Sequence, residues 1–326
     1  MNDFMGWAPM RIYWRDSRPI LDWGYLGARR FTEPFFEETC AQCVRHPADL
    51  LFRHQTPLEN LGEIVRTQPA VAPTGFIFHM SRCGSTLICQ MLAAAAKNIV
   101  ISEAKPIDTI LRAHFRDPAI SDEQRVQWLQ WVVHALGWRR HPEEKYLFIK
   151  FDCWHTRFLP LIQRAFPGVP WIFLYRDPLE VLVSQISHRG AQMIPGVLDP
   201  GLFGWDAPAA AAMPPNAYGA RALAKICEAA LAQVQGGTGQ LVNYSQLPGL
   251  VWPELMRFWG VDFSPDESRR MTDAARLDAK NPVLPFEEDS QAKRQRASPE
   301  IRALAQQWLE EVYRQLEKMR MDRGFR

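Results

Sequence analysis

Residues 76–92, FIFHMSRCGSTLICQML, read as a buried strand, a short loop and a helix, and this unit decides the fold. Phe76, Ile77 and Phe78 form an unbroken apolar run, as in a strand covered on both faces. The loop carries Gly84 and three hydroxyl residues, Ser81, Ser85 and Thr86. Backbone N–H groups at the start of the following helix point outward and the helix dipole favours negative charge, so the unit makes a phosphate cradle. It departs from a Walker A loop, which needs Gly-x4-Gly-Lys-Ser/Thr, because the first glycine is missing and no lysine follows Gly84. The cation is Arg82, whose fork binds a phosphate or sulfonate through two parallel hydrogen bonds without a metal. A capped helix start after a strand, with no ligand, is the alternative.

Outward from this unit, apolar runs alternate with helical patterns. GFIFHM (75–80), NIVIS (98–102), YLFIKF (146–151), VPWIFLY (169–175) and QLVNY (240–244) are strand candidates. Helices are expected over 86–97, 106–115, 122–136, 156–166 and 178–189, with Ser121 and Gln124 forming a capping box. The alternation predicts an α/β fold, a P-loop-type parallel sheet of about five strands flanked by helices. A C-terminal helix is expected from Ser298, with Pro299 at its first position and an apolar stripe at 301, 304, 305, 308, 309, 312 and 316. That stripe is core.

Before the sheet, residues 1–70 form an aromatic-rich N-terminal extension, and the connector TQPAVAPTG (67–75) leads into a second unit, 71–326. TEPFFEETCAQCVRH (32–46) is expected to be a helix capped by Thr32, with Pro34 in its first turn. Residues 190–216 hold five prolines, four glycines and neither lysine nor arginine, which predicts a lid or substrate loop. Met193, Phe203 and Trp205 in that loop, with aromatic residues of the extension, are candidates to line an apolar substrate pocket.

The 326 residues, 47% hydrophobic and 23% charged, describe a globular chain and exclude disordered, collagen-like and coiled-coil classes. A net charge of +2 gives no reason to expect nucleic acid, so any anion site is local. No apolar run approaches the ~20 residues of a membrane span. The N-terminus lacks the marks of a secretory signal, and six sparse cysteines read as reduced, buried thiols, so a cytoplasmic address is expected. CAQC (40–43) with His46 and His54 has a faint zinc-ligand spacing that helical periodicity explains more simply.

A second element stands at the right place for the same anion. WIFLYRDPLEVLVSQISHR (171–189) is a strand ending in Arg176, a helix with Pro178 in its first turn, and Ser184 two turns on. An arginine at the carboxyl end of a parallel strand faces the crevice where such folds bind ligands; pairing with Asp177 or Glu180 in a solvated salt bridge is the alternative. Lys150 is the one charged residue of its apolar strand, a position that is costly unless the amine is paired, faces a site or snorkels to solvent.

SRCGSTL and YRDPLEVLVS, in this order, resemble the sulfotransferases that use 3'-phosphoadenosine 5'-phosphosulfate (PAPS), in particular their bacterial and tyrosylprotein branches. The first is similar to the family's 5'-phosphosulfate loop, commonly Pro-Arg-Ser-Gly-Thr-Thr-Leu, and the second to its Arg-Asp-Pro-x5-Ser element for the 3'-phosphate. Cys83 stands where serine is usual and Ser81 replaces the preceding proline. The resemblance implies that Arg82 and the segment Cys83, Gly84, Ser85 and Thr86 hold the 5'-phosphate and the sulfonate, and that Arg176 and Ser184 hold the 3'-phosphate. It further implies Glu103 as general base and Lys150 as the cation on the bridging oxygen. Asp152 is the second candidate base. Tyr244, in LVNYSQL, and Lys280, in DAKNPVLPF, are candidate nucleotide contacts, although the cytosolic branch's Arg-Lys-Gly-x-x-Gly motif is absent.

The expected activity is transfer of a sulfuryl group from PAPS to a hydroxyl, less readily an amine, of a small molecule or peptide. Adenosine 3',5'-bisphosphate (PAP) is the product; neither a metal, nucleic acid nor a membrane span is expected, and the sequence does not set the oligomeric state. An ATP/Mg-dependent P-loop kinase or NTPase, or a degenerate nucleotide-binding interaction protein, are the alternatives.

Overall fold

Trp7–Arg15 (β1) and Arg18–Tyr25 (β2) pair antiparallel across a two-residue turn in which Asp16 and Ser17 both have positive φ, 48° and 61°. Such a turn matches the right-handed twist of the strands it joins. In this computed structural model the described residues are 4–45, 54–287 and 289–324. The hairpin is a departure from the sequence reading, which found no strands here. His54–Pro57 (β3) adds to β2, completing a three-stranded antiparallel sheet. Trp23 of β2 stacks flat on Trp138, with ring centroids 5.8 Å apart.

Phe36–Cys43 (α1) is shorter than the helix expected from Thr32, and its N-cap is Phe35, without a side-chain cap. Thr32 lies outside it because Glu33 takes the polar role instead, accepting hydrogen bonds from Thr39 and Gln42. His46 lies outside the described residues, and Cys40, Cys43 and His54 form no ligand cluster among those described. All six cysteines are free, and all but the half-buried Cys40 are buried.

Pro73–His79 (β4), Asn98–Ser102 (β5), Tyr146–Lys150 (β6), Trp171–Tyr175 (β7) and Gly239–Asn243 (β8) form the expected five-stranded sheet, every pair parallel, in the order β5-β6-β4-β7-β8. Helices flank it: Ser85–Ala93 (α2), Lys105–Leu111 (α3), Asp122–Leu136 (α4), Leu159–Ala165 (α5), Pro178–Ser187 (α6) and Pro215–Val234 (α7). Ser121 and Gln124 form the predicted capping box of α4. The helix foreseen from 156 begins as a 3-10 turn, Cys153–Phe158.

The strands read as apolar runs because both faces are covered, and Phe78, Phe148 and Phe173 are fully buried. From β4 the chain moves to one side for β5 and β6 and to the other for β7 and β8. The carboxyl end of β4 is therefore a point where strand order reverses, the place where open parallel sheets bind ligands. Register brings the strand ends level: Ser102 pairs with Lys150, and Tyr175 with Asn243.

Residues 190–216, expected as a lid or substrate loop, carry local order of their own. Short 3-10 turns span Ala191–Met193 and Pro200–Phe203, and a short helix spans Ala207–Ala211. Asp199 and Asp206 cap the last two through Gly201 and Ala209. Met193 and Phe203 are buried in the core, and Trp205 packs on Tyr218 at 5.1 Å; none of the three lines the cavity at the strand ends described below.

At the C-terminus, Ser290–Arg296 (α8) precedes Pro299–Trp308 (α9) and Glu310–Arg323 (α10). The predicted stripe runs on through the break, with Ile301, Ala305, Leu309, Val312 and Leu316 buried. No helix among the described residues is long and apolar enough to cross a membrane.

Candidate active site

Each strand of the central sheet delivers polar residues at its carboxyl end: His79 ends β4, Glu103 follows β5, Lys150 ends β6 with Asp152 beyond, Arg176 follows β7 and Tyr244 follows β8. All line one cavity of about 500 Å³ except Lys150, whose buried ammonium reaches it through Glu103. Arg82, Ser184 and Lys280 line it too.

The loop between β4 and α2 is held in a conformation that L-residues rarely adopt, with φ of 78° at Ser81, 52° at Arg82 and 87° at Gly84. A side chain at Gly84 would place its Cβ 2.8 Å from the Tyr244 ring, so glycine is required both by the backbone and by close packing. The turn leaves the start of α2 without a side-chain cap and directed at the cavity. Cys83 is buried with its thiol against the Leu174 carbonyl, at 3.2 Å, so only its backbone serves the cavity. Ser85 and Thr86 are buried.

Lys150 is 1% exposed, and its charge is paired: Nζ lies 2.9 Å from Glu103 Oε1 and donates to Thr86 Oγ1 at 3.2 Å. Burial works against that charge, but Glu103, with Cys89 and Asp152 adding to it, outweighs burial, so the ammonium's pKa is raised. Burial likewise opposes ionisation of Glu103, but Lys150 and then His79 outweigh it and hold the carboxyl well below the usual carboxylate range. Glu103 sits at φ 58°, its N–H donating to the Lys150 carbonyl at 2.8 Å.

His79 escaped the sequence reading. Its Nδ1 accepts from the Ser81 N–H at 3.0 Å, which places the proton on Nε2, 3.0 Å from the Phe151 carbonyl and 3.4 Å from Glu103 Oε1. Burial lowers its pKa, so the ring is neutral and fixes both the strained loop and the carboxylate. Its signal was a lone polar residue closing an apolar strand, directly before the loop.

Asp152 is buried, and its Oδ2 has no hydrogen-bond partner among the described residues. Burial, then the charges of Glu103 and Asp108, push its pKa well above the usual value. His155 lies beside it, and Asp108, Asp152 and His155 offer ligand atoms within 4.8 Å of one another. Both ring nitrogens are already used, however: Nδ1 accepts from the Asp152 N–H, and Nε2 lies 2.9 Å from Asp108 Oδ1.

A further part of the cavity wall is built around Arg176. Its guanidinium lies 4.0 Å above the Tyr244 ring, Nε donates to Glu180 at 2.6 Å, and one terminal nitrogen donates to Asp289 at 2.9 Å and Ser290 at 3.0 Å. Arg176 does pair with Glu180, then, but in a buried contact rather than a solvated one. Ser184 accepts from Arg82 Nε at 2.7 Å, which joins the two motifs directly. Lys280, at the rim, has its pKa pushed down to about 8 by desolvation and by the charges of Arg82 and Lys150. Phe35, just before α1, lies against both lysines, 4.8 Å from Lys150 Nζ and 5.7 Å from Lys280 Nζ. Asp289, Phe35 and Lys293, which lines the cavity and pairs with Asp289 at 2.6 Å, carried no recognisable signal in the sequence.

No protein-family model matches this chain, and no curated protein matches it. Among solved structures, it is similar to the sulfotransferase domain from the curacin biosynthetic pathway, at 19% identity over 73% of this chain and 98% of that one, with a TM-score of 0.43. It is also similar to a sulfotransferase from Alicyclobacillus acidocaldarius, at 15% identity over 77% and 96% of the two chains, with a TM-score of 0.44. Retinol dehydratase in complex with retinol and PAP is similar at 14% identity over 78% and 85%, with a TM-score of 0.37. Likenesses at this level carry no argument for the chemistry.

Proposed function

We propose that the chain is a PAPS-dependent sulfotransferase that transfers a sulfuryl group to an acceptor hydroxyl. The observation that carries this reading is the meeting of the uncapped α2 terminus and Arg82 with a Lys150–Glu103 pair and, across the same cavity, Arg176. Such a set suits a ligand with anionic groups at two ends and a proton to be removed between them. PAPS supplies the activated sulfuryl group.

Arg82 and the α2 amides hold the 5'-phosphate and sulfonate, and Arg176, stacked on Tyr244, holds the 3'-phosphate with Ser184 and Lys280 nearby. Transfer forms a bond between the acceptor oxygen and sulfur and breaks the bond between sulfur and the 5'-phosphate oxygen, which keeps the electron pair. Lys150 neutralises that oxygen. Glu103 takes the acceptor proton, and as Lys150 turns towards the leaving oxygen the carboxylate regains the basicity that the ion pair suppresses.

Asp177, which a kinase would need for a metal, accepts from the N–H groups of Leu179 and Glu180 and pairs with Arg294, which argues against the ATP reading. Thermal stabilisation tests the proposal, because a ligand that binds only the folded state raises Tm by mass action. PAP is expected to raise Tm, and ATP with Mg2+ is not. Stabilisation by ATP alone would move the reading to a kinase, and no response to either would leave an interaction protein.

A further inference from the structure

A second cavity, of about 590 Å³, lies between the N-terminal hairpin and α1, and the reading above makes no use of it. Trp7, Met10 and Trp23 from the hairpin face Cys40, Ala41 and Val44 across it. Its volume is that of a small-molecule site, and its walls are mainly apolar; the charged groups are the Arg11–Asp22 pair, whose carboxylate is buried, with Glu37 and Lys105. Met10 lies so close to Gly24 that a Cβ there would meet its sulfur at 1.8 Å, so the absence of a side chain at 24 shapes the cavity wall.

Two observations tie this cavity to the reaction. Lys105 lines both cavities and stands two residues after Glu103. Helix α1 is likewise shared, since Phe35 before its start lines the first cavity while Glu37 and Ala41 line the second. The partition includes the pair Lys105–Glu37, at 3.7 Å with side chains 47% and 63% exposed. An exposed pair of that kind is worth little and opens at little cost.

We infer that the hairpin cavity holds the apolar body of the acceptor, which makes the substrate an alcohol or phenol carrying a hydrophobic group, with its hydroxyl presented past Lys105 to Glu103. The assignment rests on the sulfotransferase reading. The N-terminal extension is then the specificity element, and acceptors without an apolar body lack its binding energy.

Binding of phenol and of 4-butylphenol to the full chain, read by tryptophan fluorescence and calorimetry without nucleotide, tests the inference. Each buried methylene is worth about fourfold in affinity, the ratio that ~0.8 kcal/mol gives, so 4-butylphenol is expected to bind at least a hundredfold more tightly. Ala41→Trp and Cys40→Phe, two independent ways of filling the cavity, are each expected to weaken 4-butylphenol at least tenfold. PAPS is then expected to yield 4-butylphenyl sulfate in preference to phenyl sulfate. Equal affinity for the two phenols, or 4-butylphenol binding that neither filled variant alters, would overturn the inference even where PAP binds. Tight 4-butylphenol binding with no PAP stabilisation would overturn the sulfotransferase reading instead, and the acceptor role with it.

Discussion

Lys150 Nζ lies 2.9 Å from Glu103 Oε1, so the cation assigned to the leaving oxygen and the carboxylate assigned to the acceptor proton form one ion pair, buried at the lysine and 22% exposed at the carboxylate. Two groups with opposite tasks hold each other charged until ligands separate them. Glu103→Gln keeps the shape and removes the base; kcat is expected to fall at least a hundredfold while PAP stabilisation persists. Parallel losses of kcat and of PAP binding would show that Glu103 serves the fold or the nucleotide site rather than proton transfer.

The same pair sets the pH profile. Glu103 is held below the ordinary carboxylate range, so the free enzyme's kcat/KM should keep its acid limb below the ~4.3 of an unperturbed glutamate. Lys150→Met removes the larger contribution that opposes burial at Glu103 and leaves only His79 against it. Its acid limb is expected to move above that value, with kcat down by about two orders of magnitude. An unmoved limb would detach the profile from Glu103.

Arg176 is already engaged by an internal anion, Asp289, at 2.9 Å. On the proposed reading a 3'-phosphate displaces that carboxylate, which is 49% exposed and is also paired with Lys293 at 2.6 Å. Asp289→Asn is expected to tighten PAP about two- to fivefold in calorimetry, a gain consistent with the ~1 kcal/mol ceiling of partly exposed pairs. Arg176→Ala should cost at least tenfold in PAP affinity and abolish the preference for PAP over AMP. Equal losses for PAP and AMP would place the 3'-phosphate elsewhere.

Much of this site was legible because strand ends were legible. NIVIS is the strand Asn98–Ser102 residue for residue, so Glu103 was known to stand just past it, and the charge within YLFIK marked Lys150. Arg82, Arg176 and Ser184 were found because loop chemistry is local in sequence. Residues delivered from far along the chain were not. Phe35 reaches Lys150 only through the placement of α1, and Asp289 reaches Arg176 across 113 positions, contacts that no periodicity encodes. The hairpin was missed because aromatic density hid its turn at Asp16 and Ser17. Residues 190–216 carry more local order than their composition suggests, because their prolines and glycines start and stop short turns that hold buried Met193 and Phe203.

Gly84 combines φ of 87° with contacts of 2.8 Å and 2.9 Å from a Cβ to Tyr244 and Leu247. Gly84→Ala therefore meets both a left-handed backbone, at roughly 1–2 kcal/mol, and a ring that must shift. Urea denaturation should show a loss of at least that size. Because Tyr244 is also the platform under Arg176, PAP binding should weaken with it. A stable Gly84→Ala protein with unchanged PAP affinity would contradict the tight seating of the loop.

Asp152 gives the opposite pH signature to Glu103. Burial and neighbouring carboxylates raise its folded pKa, so the native state binds its proton more tightly than the unfolded chain does. The stability this confers is fully present below the unfolded value of about 3.9 and is lost as the pH rises through the raised pKa. Asparagine has the same shape and does not titrate. The Tm of Asp152→Asn relative to the parent should therefore climb from pH 4 upward and level off once the parent aspartate has ionised; a difference independent of pH would mean that the group does not titrate abnormally. The same variant separates the two candidate bases. With Glu103 as base, Asp152→Asn retains most of kcat where Glu103→Gln does not, and the reverse ranking would transfer the proton to Asp152.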